Sequence, residues 1–173
     1  MVGRFSEAKD QKTLIRCTQL LPENIHLLLV GEGPLKAKCE EFAKNLGAEQ
    51  RVHFLGFRND VAEILKTCDI IVLSSHWEGF AMAAIEGIAS GKPVIASNIP
   101  GLSEIVGDGG ILFRRGDYRK LAKYIERLMN DIEKYDRIAK ACYERALSFD
   151  ISNTVDEYLR VYDFLIKESK LDI

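Results

Sequence analysis

The chain has 173 residues, 47% of them hydrophobic, with 24 basic and 26 acidic side chains and a formal charge of −2. This supports one domain with a good core and argues against a broad nucleic-acid surface or a polybasic membrane anchor. No apolar run reaches the roughly 18 residues of a membrane helix and MVGRFSEAKD lacks a signal core, so a cytoplasmic location is expected.

The opening VGRF, residues 2 to 5, reads as the end of a strand followed by a phosphate-style turn. A strand usually needs about five residues, so the expectation is a chain that starts partway through a larger polypeptide. KTLIRCTQLL (12 to 21) has helical spacing and IHLLLVG (25 to 31) is a strand. PLKAKCEEFAKNLG (34 to 47) is a helix with Pro34 in its first turn and Gly47 at its end. RVHFLG (51 to 56) is a strand, NDVAEILKT (59 to 67) a helix and DIIVLSS (69 to 75) a strand. GFAMAAIEGIAS (79 to 90) is helical and closed by Gly91, and PVIAS (93 to 97) is a strand that Pro93 starts. GLSEIV (101 to 106) is a short helix and GILF (110 to 113) a strand. From Asp117 the chain stays helical through DYRKLAKYIERLMND, IEKYDRIAKACYERALSF and ISNTVDEYLRVYDFLIKES, the last beginning near the capping candidates Ser152 and Asn153.

Alternating strands and helices, with strands apolar almost throughout, imply an α/β fold: a doubly wound, Rossmann-like parallel sheet, helices on both faces and a helical C-terminus, forming one domain over residues 1–173. Cys17, Cys39, Cys68 and Cys142 show no C-x-x-C pairing and read as reduced thiols. His26, His53 and His76 stand alone in sequence, without the closely spaced partners a structural zinc site uses, so no metal is expected.

Ligands of open α/β sheets bind outside the carboxyl ends of the strands. The turns there are GRFSEAKDQ, GEGP, GFRND and SSHWEGF, and none contains a dinucleotide or Walker fingerprint. GEGP (31 to 34) fits either a ligand approach or an ordinary tight turn. Glu78 and Glu86 are eight steps apart, roughly 12 Å along a helix that begins near Gly79, placing Glu86 about two turns in. That spacing suits a sugar diphosphonucleoside, with carboxylates on its two hydroxylated ends and its diphosphate on the N–H groups of Gly79, Phe80, Ala81 and Met82. Arg4 and Lys9 could neutralise the diphosphate without a metal, or be solvated surface residues.

These residues resemble a known family, the retaining glycosyltransferases of family 4, the "group 1" enzymes of the GT-B fold, in their C-terminal donor-binding domain. The similarity covers nearly the whole chain: VGRFSEAKDQKTLI, LLLVGEGP, RVHFLGF, and then SSHWEGFAMAAIEGIASGKPVIASNIPGLSEIV with its Glu-x7-Glu motif. The resemblance implies that Arg4 and Lys9, with Gly3 before them, bind the diphosphate, that Glu78 contacts the donor sugar, and that Glu86 holds the ribose. It implies that amides of Phe80, Ala81 and Met82 face sugar and phosphate, that Gly31 belongs to the G-x-G-P turn, and that Gly56, Phe57 and Arg58 lie by the base. Two departures are Ala81, where glycine is frequent and a methyl could crowd the sugar, and Gly87, where alanine is usual. His76 and Trp77 occupy variable positions and read as cleft-wall packing, while Glu104 fits helix capping and ligand contact equally.

The implied activity is metal-independent transfer of a hexose, with retention, from a UDP- or GDP-sugar that serves as co-substrate in the absence of any other cofactor. The acceptor would be a saccharide or lipid-linked molecule held by an N-terminal domain that this chain lacks. The isolated chain is therefore expected to bind nucleotide but turn over little substrate, and the whole enzyme could associate peripherally with a membrane. Two other readings are a non-catalytic nucleotide-binding or regulatory module, and another enzyme on the same scaffold. For the latter, an epimerase would have Glu78 as its clear acid or base, and no motif nominates a lysine for a phosphorylase's pyridoxal phosphate.

Overall fold

A computed structural model describes residues 1–169; the last four positions of the expected domain lie outside the described residues. Its strands are β1 (Leu27–Val30), β2 (Val52–Gly56), β3 (Ile71–Leu73), β4 (Val94–Ser97) and β5 (Ile111–Phe113). All pairings are parallel: β1 with β2, and β3 with β4 with β5. The expected doubly wound architecture is present. Neighbouring strand residues enter opposite cores, with Ile71, Leu73, Val94 and Ala96 in one and Val72, Ile95 and Phe113 in the other. Two-sided burial at period two is why these strands read as unbroken apolar runs.

The helices are α1 (Gln11–Thr18), α2 (Lys36–Asn45), α3 (Val61–Thr67), α4 (Met82–Ala89), α5 (Leu102–Val106), α6 (Tyr118–Asn130), α7 (Ile132–Ala146) and α8 (Ile151–Ser169). α1, α2 and α6 supply Leu14, Ile15, Ala43, Leu121 and Leu128 to the first core, and α3, α4 and α5 supply Leu65, Ala84, Ile88, Leu102 and Val106 to the second. α6 shows why such a segment folds this way. Leu121, Ala122, Ile125 and Leu128 make one buried stripe at helical spacing, and the Asp117 carboxylate accepts from the Lys120 N–H at 2.9 Å to start it. α7 bridges the faces, with Tyr135 against the first core and Cys142 in the second.

Several boundaries differ from expectation. α4 begins at Met82 instead of near Gly79, so Gly79–Ala81 are loop and Glu86 sits about one turn into the helix rather than two. Pro34 precedes α2 by a turn instead of lying within it. Gly47 and Gly91 follow their helices with φ of 63° and 74°, as helix-ending glycines do. The truncated first strand is a single parallel bridge from Val2 to Val30. His26 and His53 are not isolated: the β1–β2 register brings their rings together, Nδ1 to Nε2 at 2.9 Å. The four cysteines are free, three of them buried, and burial pushes the Cys17 thiol up to about 12.

Met1 bonds β1 on one side, its ammonium donating to Leu28 O at 2.7 Å and its carbonyl accepting from Val30 N at 2.9 Å, and its sulfur lies 3.6 Å from Ser74 Oγ, just past β3. Below Met1 the amino-terminal parts of β1 and β3 flank an apolar cavity of about 300 Å³.

Candidate active site

Because every strand is parallel, the loops leaving their carboxyl ends collect on one edge. The first two loops are stitched through their backbones: Gly3 N donates to Val30 O and Phe5 N to Glu32 O, both at 2.9 Å, and Leu35 N to Phe5 O at 3.1 Å. Only glycine allows so close an approach. A Cβ on Gly31, whose φ is 135°, would stand 2.2 Å from Gly3 O, and one on Gly33 would stand 2.4 Å from Phe5 O. The GEGP segment is thus more than an ordinary tight turn: its glycines let the chain after Val2 lie directly on it.

That chain delivers Lys9. Its ammonium donates to Glu78 Oε1 at 2.5 Å, and Ser75 Oγ donates to the same oxygen at 2.6 Å. The Lys9 and Glu78 side chains are only 19% and 10% exposed. Both bonds fall on Oε1, so Oε2 is the oxygen left to accept from a hydroxylated ligand. Ser74 Oγ bonds the carbonyls of Lys9 (3.0 Å) and Asp10 (2.9 Å), and His76 N donates to Ala8 O at 2.7 Å, so the two loops move as one. Gly101, at φ 81°, supports them from beneath: a Cβ there would fall 2.4 Å from Gly79 O and 3.0 Å from Glu78 O.

The other expected residues are more loosely arranged. Gly3 lies under the Lys9 chain, 3.4 Å from where its Cβ would be. Arg4 is exposed and without an ion pair among the described residues, its carbonyl held by buried Gln11 at 2.9 Å. Glu86 is exposed on α4. The Met82 N–H is turned back onto Phe80 O at 3.1 Å, so it is not among the free amides; no partner is recorded among the described residues for the N–H groups of Gly79, Phe80 and Ala81. Ala81 is 4% exposed and its methyl belongs to the second core, which places it away from the cleft it was expected to crowd. Phe57, Trp77, Phe80 and Met82 are all more than half exposed on this edge. Beside Phe57, Arg58 forms a fork on Asp60, with Nε at 2.7 Å, which holds the Asp60 carboxyl below its usual range. Glu104 is exposed in the first turn of α5 and makes no cap bond there.

Sequence reading missed Ser74, Ser75, Asp10 and Gly101. Their partners lie up to 73 positions away, so no local pattern marks them, although a serine three residues before Glu78 was a usable hint. Among the described residues no three His, Cys, Asp or Glu side chains converge as a metal would require.

The "Glycosyl transferases group 1" family model matches residues 1–145. The putative glycosyltransferase EpsD of Bacillus subtilis is 36% identical over 159 residues, covering 89% of this chain and 42% of its own length. The N-acetyl-alpha-D-glucosaminyl L-malate synthase of Bacillus anthracis is 33% identical, covering 98% and 46%. Among solved structures, Anabaena HepE in complex with UDP and with UDP-glucose superposes with a TM-score of 0.82 at 30% identity, covering 92% of this chain and 48% of that one. The catalytic domain of cholesterol-alpha-glucosyltransferase from Helicobacter pylori gives 0.78 at 31% identity, covering 86% and 96%. The chain therefore spans less than half the length of these curated relatives. With the family model matching residues 1–145 and the fold in agreement, the chain belongs to the group 1 glycosyltransferases, on the GT-B fold.

Proposed function

We propose that this chain is the donor-binding half of a two-domain retaining glycosyltransferase that moves a hexose from a UDP- or GDP-sugar to a saccharide or lipid-linked acceptor. The observation that carries the reading is Glu78: a nearly buried carboxylate whose Oε1 is occupied by Lys9 and Ser75 and whose Oε2 remains for a sugar hydroxyl. The UDP and UDP-glucose complexes of HepE support the donor class.

In this reading Lys9 is shared. Glu78 holds it ready, and an arriving diphosphate takes up the cation's remaining N–H donors. As the bond from anomeric carbon to phosphate oxygen breaks, negative charge grows on the departing nucleotide diphosphate. Lys9, Arg4 and the free amides of Gly79 to Ala81 meet that charge, the role otherwise filled by a metal ion. Glu86 takes the ribose, Phe57 and Arg58 flank the base, and the acceptor hydroxyl attacks the face the diphosphate leaves, its proton passing to the departing phosphate oxygen.

The acceptor site belongs to a second domain. α8 supports this, with Tyr158, Leu159, Tyr162, Phe164 and Leu165 each more than half exposed. No helix among the described residues is long and apolar enough to cross a membrane; in this reading the whole enzyme works at the cytoplasmic side and can associate peripherally with a membrane.

Calorimetric titration with UDP, GDP and ADP, then with each nucleotide sugar, tests the reading. One nucleotide should bind, equally well in EDTA, and its sugar should add affinity that Glu78→Gln removes. Failure of all three to bind, or a sugar contribution untouched by Glu78→Gln, would reject it. Transfer by the isolated chain at the rate of an intact enzyme would reject the two-domain part.

A further inference from the structure

Lys9 and Glu78 have a task in the proposed reaction, while their neighbours Asp10 and His76 do not. Asp10 is the one non-glycine residue with positive φ among the described residues, at φ 47° and ψ 51°. L-residues enter that region only at an energetic cost. Helix capping does not explain it. Asp10 caps α1 with Oδ1 accepting from the Thr13 N–H at 3.4 Å, and its Oδ2 accepts from Thr13 Oγ1 at 2.6 Å, but Asp117 and Asp131 cap α6 and α7 with ordinary φ values of −82° and −135°.

What the left-handed turn does is split two adjacent charges. Lys9 reaches Glu78, while Asp10 turns so that Oδ2 stands 3.6 Å from His76 Nε2. The two pairs cross between the same loops, with both turn carbonyls fixed on Ser74. His76 is itself seated: its N–H is on Ala8 O, its carbonyl accepts from Arg115 at 3.3 Å, and its ring stacks on Trp77. Nδ1 is buried and has no partner among the described residues, so the polar contact of the ring is with Asp10. A carboxylate only accepts, so an N–H at Nε2 is what makes this contact attractive.

We propose that His76 is a positioning residue: through Asp10 it holds the left-handed turn that aims Lys9 at Glu78 and at the anionic group the site receives. This deepens the donor-site reading and rests on it for the nucleotide-binding readout alone.

Three variants separate the roles. His76→Phe keeps a ring against Trp77 and removes both nitrogens, and His76→Gln returns a donor. Asp10→Asn keeps a cap and a residue tolerant of positive φ while removing the charge. In each, the acylation rate of Lys9 by acetic anhydride, followed by peptide mass spectrometry, reports the Lys9–Glu78 pair without any nucleotide. Calorimetry with UDP and GDP reports the site. Lys9 acylation should rise about threefold or more in His76→Phe and Asp10→Asn. Nucleotide affinity should fall about tenfold, the equivalent of one weakened charge-assisted contact. His76→Gln should recover most of both, with all three melting near the parent. Unchanged Lys9 reactivity in His76→Phe and Asp10→Asn overturns the proposal, as does a His76→Gln variant no better than His76→Phe. If His76→Phe does not fold, Asp10→Asn decides alone. If the parent binds no nucleotide while Lys9 reactivity still responds, the donor reading fails and the positioning role stands.

Discussion

The two edges of the parallel sheet are built on opposite terms. At the carboxyl edge, loops touch through backbone hydrogen bonds and close glycine contacts, and charges are paired within a few ångströms. At the amino edge, β1 and β3 face each other across an apolar cavity of about 300 Å³, capped by a buried terminal amine. This apolar space is remote from the chemistry. A more open hollow of about 450 Å³, lined by Phe57, Arg58, Asn59, Asp60 and Glu63, lies at the carboxyl edge, where the polar groups fixed by long-range bonds also gather.

The largest expected effect tests how rigid the carboxyl edge is. Gly31→Ala drives a methyl into Gly3 O and should cost roughly 3 kcal/mol or more, abolishing nucleotide binding. Gly47→Ala meets nothing within 4 Å and pays only for its φ of 63°, about 1 to 2 kcal/mol. Urea unfolding of the pair reads the difference; equal losses would mean the loop contact is not tight.

The amino edge makes a pH prediction. Burial lowers the Met1 amine from 8.0 to about 6. Between those values the unfolded chain binds the extra proton, so stability rises with pH from 6 to 8 and is lost on the way down. A two-unit gap is worth up to about 2.7 kcal/mol. N-acetylation should remove that slope. An identical slope in the acetylated chain would assign it to other groups.

Next is the charge pair. Lys9→Met leaves Glu78 with Ser75 alone and should cost about 1 to 2 kcal/mol, since both side chains are largely buried. Nucleotide affinity should fall about tenfold or more, and combining it with Glu78→Gln should cost less than the two separately in a thermodynamic cycle. Smallest is Arg58→Ala, whose fork on Asp60 is solvent-exposed. The melting temperature should stay put while nucleotide affinity drops a few-fold; a clear loss of stability would contradict the surface assignment.

Legibility follows the range of the interactions. Ile71–Leu73 and Val94–Ser97 were readable as buried strands because two-sided burial is written in consecutive residues. Lys9, Glu78 and the glycines stood out by residue type and motif. Ser74, Ser75 and the Asp10–His76 contact did not, because each matters through a partner on another loop. The start of α4 differs for a related reason: Phe80 and Ala81 carry no local signal against helix, while the Gly101 turn packs beneath Glu78 and Gly79.

The sequence by itself determined the alternation of strand and helix, the parallel sheet between two layers, and the edge at which chemistry would lie, because periodicity, caps and glycine positions act over a few neighbouring residues. The tertiary structure alone decided which oxygen of Glu78 is free, that Asp10 takes a left-handed turn toward His76, and that His26 meets His53. Those outcomes depend on strand register and loop packing between residues 27 to 69 positions apart, a distance over which no local pattern carries information.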